Sequence, residues 1–136
     1  MSNIDHISAQ DFISKLSKQE NLDILDIRTN LEFENLSLPC NVTHKPLHEI
    51  DPANFFDPRS DKTKPLYVLC KMGPRAQKIA EFLIHHGHQN FVVIDGGIIG
   101  CTEGNCSMNT SENPASQPEI MAAVQESVRI FMARYQ

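Results

Sequence analysis

Between Leu66 and Ile94 two short apolar runs, LYVLC and FVVI, bracket an amphipathic stretch extending from about Pro74 to His86. Within it Ala76, Ile79, Ala80 and Leu83 recur at helical spacing, and Gly87 stands where a left-handed residue closes a helix. Strand, helix and strand in such close succession form a βαβ crossover, with the two strands parallel and the connection right-handed. That unit commits the chain to a parallel sheet covered by helices.

The remaining sequence alternates in the same way. IDHI reads as a short edge strand, and SAQDFISKLSKQ as a helix with Ser8 at its N-cap and Phe12, Ile13 and Leu16 on one face. LDILDI, from Leu22 to Ile27, is nearly continuous in apolar residues, as a strand buried on both faces must be. NVTH, Asn41 to His44, is a weaker strand signal. The pattern predicts an α/β fold, an open parallel sheet of about five strands flanked by helices on both faces, plus a C-terminal helix.

At 136 residues and 40% apolar composition, the chain suffices for one domain with its own core. Residues 1–101 are read as that domain. Residues 102–117, polar and punctuated by two prolines, are read as an exposed linker, and 118–136 as an amphipathic helix starting at Pro118. Ile120, Val124, Val128, Phe131 and Tyr135 make its apolar stripe, which predicts packing on its own domain or on a twin subunit as a homodimer.

A net charge of −5, with 12 Lys and Arg residues spread along the chain, supplies no counterion-release term, so nucleic acid is not an expected partner. The N-terminus carries neither a basic nor an apolar leader segment, and no run approaches the roughly 18 apolar residues of a spanning helix, so a cytoplasmic protein is expected. In a reducing compartment the cysteines at 40, 70, 101 and 106 are expected as thiols. A disulfide or resolving role for Cys101 and Cys106, and thiol exchange between Cys40 and Cys70, are the alternatives. The histidines in HHGH, His85 to His88, are explained by the negative end of the helix dipole, and no metal site is expected.

Cys70 ends its strand at the carboxyl edge of the sheet, where open α/β folds gather ligands. The loop KMGP then presents backbone N–H groups and a helix start toward the sulfur, while Lys71 and Arg75 add two cations. All of these favour thiolate over thiol. Gly73 lets the loop curl without a Cβ, and Pro74 sits where its missing N–H is harmless. The segment reads as an anion cradle built around a nucleophile.

CKMGPRA resembles the C-x-x-G-x-R active-site loop of the rhodanese family, the single-domain sulfurtransferases. DIRTNLEF, Asp26 to Phe33, resembles that family's D-x-R-x-x-x-E-[FY] signature, and VVIDGGIIG, Val92 to Gly100, its closing strand and Gly-Gly turn into a helix. The resemblance runs from about residue 4 to 101. It departs at LSLPCN, Leu36 to Asn41, where the family commonly has G-H-I-P-G-A, and at Cys101, where tryptophan is common.

The resemblance implies a rhodanese-like fold and transfer of sulfane sulfur through a persulfide on Cys70. The donor is thiosulfate or a similar small sulfur anion, and the acceptor is cyanide, a small thiol such as glutathione, or a protein thiol. Lys71, Met72, Gly73, Pro74, Arg75 and Ala76 form the substrate-binding ring, with Arg75, and Lys71 beside it, binding the anionic donor. Asp26 and Arg28 form a structural ion pair near the site, with Glu32 joining that strand-end pairing; no cofactor is implied. Related phosphatases and arsenate reductases use a loop one residue longer, and the shorter Cys-x4-Arg ring suits a single sulfur rather than a tetrahedral phosphate. A sulfur-carrying or noncatalytic interaction module is the second reading, and a phosphatase or arsenate reductase the third. The VRIF ending also resembles the segment before the membrane hairpin of some membrane-tethered rhodaneses, which implies a soluble fragment or a relative without its anchor.

Overall fold

A computed structural model describes residues 4–18, 21–104 and 107–134. In chain order the elements are β1 (Ile4–Ser8), α1 (Ala9–Ser17), β2 (Asp23–Asp26), α2 (Asn30–Asn35), β3 (Leu36–Ser37) and β4 (Thr43–His44). Two 3-10 turns, Leu47–Glu49 and Pro52–Asn54, precede β5 (Leu66–Leu69), α3 (Pro74–His85), β6 (Phe91–Asp95), α4 (Gly97–Glu103), β7 (Asn109–Thr110) and α5 (Gln117–Ala133). The main sheet has the order β1-β6-β5-β2-β4, parallel throughout. This is the α/β architecture expected, with β1 at one edge and the weakly signalled β4 at the other.

Burial on both faces explains the continuous apolar runs. Leu66, Val68 and Cys70 of the β5 run point into one core with Leu25, Ile27, Phe91 and Val93. Tyr67 and Leu69 point into the other with Phe12, Ile24, Ile94 and Ile98. The period-2 alternation of a strand thus feeds two cores, one under α3 and α5 and one under α1 and α4. Each fully buried aliphatic or Phe side chain contributes about 1.5–3 kcal/mol.

Local signals set the helix ends. Ser8 caps α1 by accepting from the Asp11 N–H. The α3 C-cap is His86, and Gly87, at φ +93°, follows it. The Gly87 N–H donates to the Ile84 carbonyl and the His88 N–H to that of Leu83, the paired bonds of a Schellman motif.

The described residues of the 102–117 stretch, expected as an exposed linker, are exposed or half-buried, and the stretch is also tied to the domain. Helix α4 continues to Glu103, and β7 pairs antiparallel with β3. Asn35 then holds Ala115 twice, its Nδ2 donating to the carbonyl at 3.3 Å and its Oδ1 accepting from the N–H at 2.8 Å. Two-residue strands carry no periodicity, so their pairing leaves no trace in the sequence. Ser116 and Glu119 form a capping box that starts α5 one residue ahead of Pro118.

Helix α5 spends its stripe on its own domain. Ile120 and Phe131 are buried, Val128 packs on the core, and Phe131 meets the Phe82 ring edge-on at 5.1 Å. His48 Nδ1 and Ser127 Oγ lie 2.7 Å apart, and Arg134 donates to the Ile50 carbonyl. Tyr135, assigned to the stripe, and Cys106 lie outside the described residues. Cys101 is buried in the core beside Ile98, while Cys40 is exposed. No helix among the described residues is long and apolar enough to cross a membrane.

Candidate active site

Cys70 follows the last residue of β5, and the chain from Lys71 to Gly73 curls over it before α3 begins at Pro74. Gly73 takes φ +123°, a conformation that L side chains rarely adopt, and this aims its N–H at the Cys70 sulfur, 3.0 Å away. Its carbonyl accepts from Gln77, the first bond of the helix. The sulfur sits at the floor of the loop, with the residue 1% exposed and Ala76 beside it in the core. Among the described residues, the one loop amide bonded to the sulfur is that of Gly73, where the sequence suggested several. The ring has fewer donors than residues because Pro74 has no N–H. Met72 stands exposed at the tip of the loop.

The loop is clasped from behind by α4. Ile98 N–H donates to the Cys70 carbonyl at 2.9 Å and Ile99 N–H to that of Lys71 at 3.1 Å. This approach requires glycine at 97. A Cβ there would lie 2.4 Å from the Lys71 carbonyl oxygen and 2.5 Å from that of Cys70, and the backbone has φ +55°. The VVIDGGIIG and CKMGPRA segments are therefore one structural unit.

The charged residues pair differently from the sequence-based expectation. Asp26 and Arg28 do form an ion pair, with Nη2 at 2.7 Å and Nε at 2.9 and 3.1 Å from the carboxylate oxygens. Glu32, expected to join them through its carboxylate, offers Arg28 its backbone carbonyl instead. Its carboxylate takes both arms of Arg75, Nη1 to Oε1 and Nη2 to Oε2, each at 2.8 Å. Oε1 also accepts from the Thr29 N–H at 2.9 Å and from its hydroxyl at 3.2 Å, completing the capping box that starts α2. As third residue of that helix Glu32 folds back over the N-terminus, which points it toward the first turn of α3.

Arg75, assigned to the donor anion, is thus held by a carboxylate, its side chain 12% exposed. Burial by itself pushes the Glu32 carboxyl up, but the Arg75 guanidinium, the Thr29 amide and Arg28 outweigh it and hold the group below its ordinary range. Burial would likewise lower Arg75, and the bonds and charge of Glu32 more than reverse this.

Lys71 forms no ion pair among the described residues. It lines a cavity of about 120 Å³ together with Glu32, Leu36, Ile98, Ile99 and, from α5, Gln117 and Ile120. Thr29, Gly97 and the α5 residues were missed in the sequence. Thr29-x-x-Glu32 is a legible capping box, and the Gly-Gly pair was noted without its contact; Gln117 and Ile120 left no local signal toward the site.

A parallel α/β sheet with a cysteine cradle at the carboxyl edge of its central strand is the arrangement of a rhodanese-like domain. The family model for that domain matches residues 8–103, and the chain belongs to the rhodanese-like family. It is 30% identical over 98 residues to the putative sulfur carrier protein YrkF of Bacillus subtilis, spanning 71% of this chain and half of that one. It is 27% identical over 107 residues to the thiosulfate sulfurtransferase GlpE of Shewanella oneidensis, covering 77% of this chain and 99% of that protein. A crystal structure of a thiosulfate sulfurtransferase from Pseudomonas aeruginosa shares the fold with a TM-score of 0.67 at 18% identity, over 93% of this chain and 24% of that one. Helix α5 lies beyond the matched family region.

Proposed function

We propose that the chain is a sulfurtransferase that moves sulfane sulfur through a persulfide on Cys70. The observation that carries this reading is the Gly73 N–H aimed at the Cys70 sulfur at 3.0 Å in a loop of Cys-x4-Arg length. In the first half-reaction the Cys70 thiolate attacks the outer sulfur of thiosulfate. The S–S bond of thiosulfate breaks, its electron pair leaves with sulfite, and Cys70 carries a persulfide anion. In the second, an acceptor thiolate or cyanide attacks and bonds the outer sulfur, the Cys70 S–S bond breaks, and its electron pair returns to Cys70 as thiolate. Amide donors fixed by the fold stabilise the sulfur anion without reorganising, which is where such cradles gain rate. The likeness to GlpE supports thiosulfate as donor. Lys71 binds the donor anion, since Arg75 is neutralised by Glu32, and the setting is the cytoplasm.

A second reading is a sulfur carrier that receives its persulfide from a protein and passes it to a protein thiol. The likeness to YrkF and the closed Arg75–Glu32 pair, which leaves Lys71 as the cation of the loop without an ion pair among the described residues, favour it. Mass spectrometry separates the two. A one-sulfur adduct on Cys70 after thiosulfate, discharged by cyanide with repeated turnover, supports the enzyme. An adduct that forms only from a persulfide-bearing protein supports the carrier, and no adduct from either source overturns both.

A further inference from the structure

The sequence puts two cations beside Cys70, Lys71 and Arg75, and the fold cancels one of them. Glu32 takes one N–H from each Nη of Arg75 and leaves the Nε–H and the remaining Nη hydrogens unused by the carboxylate. The pair removes net charge from the edge of the cradle while much of the hydrogen-bonding capacity of Arg75 remains. Arg28 is offset in the same way by Asp26. Lys71, without an ion pair among the described residues, is left as the surplus positive charge of the loop.

The charge of Glu32 is not needed for the helix it caps. A capping box accepts Gln as well as Glu at this position, because the Thr29 N–H requires an oxygen and not a charge. Nor does Arg28 need it, since Asp26 is the charge partner there. What the negative charge of Glu32 meets is Arg75, in the first turn of α3 just beyond the Gly73 amide that bonds the sulfur. Burial opposes the charged form of Arg75, and Glu32 restores it, followed by the negative charge of Cys70. Glu32, Arg75 and the reactive sulfur are thus electrostatically linked.

Resting on the sulfur-transfer reading above, we propose that Glu32 is a specificity-determining residue, which acts through Arg75 to set the charge of the sulfur donor and lowers the reactivity of the cradle toward dianions relative to monoanions. Thiosulfate brings two negative charges to a thiolate faced by the surplus charge of Lys71. A donor of the same shape with one charge meets less repulsion. Methanethiosulfonate is such a donor, with a methyl group in place of one thiosulfate oxygen. The Cys70 thiolate attacks its outer sulfur, the S–S bond breaks with its electron pair on methanesulfinate, and Cys70 carries the same persulfide that thiosulfate leaves.

The test follows single-turnover loading of Cys70 by mass spectrometry, with thiosulfate and with methanethiosulfonate, in mildly alkaline buffer where an unpaired Glu32 stays ionised. The ratio of the two rates cancels whatever they share, including the thiolate fraction and the order of the loop. Glu32→Gln should raise the ratio of thiosulfate to methanethiosulfonate by roughly tenfold, the scale of one partly screened unit charge close to the reacting atoms. Arg75→Gln should lower it by a similar factor. The double variant, with both charges gone, should return it near the wild-type value. The step from Arg75→Gln to the double variant reads the Glu32 charge in the absence of Arg75, and serves where Glu32→Gln alone fails to fold. A ratio equal across the folded variants overturns the role of Glu32 and leaves sulfur transfer standing. So does a double variant that stays with Arg75→Gln, because the Glu32 charge then has no effect on the donor. A chain loaded by neither donor overturns both.

Discussion

The Glu32 carboxylate and the Arg75 guanidinium, 43 residues apart, meet through two hydrogen bonds of 2.8 Å and join the α2 cap to the first turn of α3. Two motifs that read separately in the sequence are thereby one ion-paired unit at the edge of the cradle. Removing the carboxylate leaves a largely buried guanidinium unpaired and the Thr29 N–H without its capping-box acceptor, while the Thr29 hydroxyl still caps α2. Glu32→Ala should destabilise the protein by about 3–5 kcal/mol, read from urea unfolding, and Glu32→Gln, which keeps a cap acceptor, by less.

The same pair sets a pH dependence. The folded Glu32 carboxyl lies below its ordinary value of 4.5, so its contribution to stability is complete above that value. As pH falls from there through the depressed folded value, the unfolded chain takes up its proton first and the contribution is lost. Unfolding free energies of wild type and Glu32→Gln should therefore converge on acidification; a difference that stays constant across that range contradicts the assignment.

Cys70→Ser should cut sulfur transfer by on the order of a thousandfold or more, the usual consequence of deleting a covalent nucleophile. The far-ultraviolet spectrum should be retained, because serine fits the volume of the site. Transfer at the wild-type rate in this variant would sink the persulfide mechanism.

Two glycines with positive φ should respond unequally to alanine. At Gly97 the added carbon meets the Cys70 and Lys71 carbonyls inside 2.6 Å, and the cost should be about 2–5 kcal/mol, from the left-handed backbone plus overpacking. At Gly87 nothing lies within 4 Å, so only the backbone term of about 1–2 kcal/mol remains. Thermal melts of the two variants compare them directly. Gly97→Ala should also slow persulfide formation, since the clasp behind the loop opens.

Phe131 is wholly buried under the Phe82 ring. Phe131→Ala should cost about 3–5 kcal/mol. Amide exchange should rise across α5 before it rises in β5, because the helix is held by its buried face and a few polar contacts while β5 is the centre of the sheet.

Much of this was legible in the chain. The continuous run at 66–70 is readable as a two-faced strand because β5 is covered on both sides, and Ser8, Gly73, Pro74 and Gly87 mark turns through their own backbone preferences. The edge pieces were less legible. β3 and β7 are two residues each, too short for a period of two to show, and the polar tract at 102–117 concealed a segment pinned by Asn35. At the site, Cys70 and its loop were readable from local order, but the partner of Arg75 was not. A guanidinium takes the acid that the tertiary fold brings to it, here the Glu32 carboxylate in the first turn of α2.

The amino-acid order by itself determined the alternation of strands and helices, their caps, and the placing of a cysteine at a strand end ahead of a helix, because each depends on residues within a turn or two of one another. Only the tertiary structure decided that Glu32 neutralises Arg75, that Gly97 admits the cradle carbonyls, and that Ile120 lines the same cleft as Lys71. Those are contacts between segments tens of residues apart, fixed by the free energy of burying two cores at once, and no local preference encodes them.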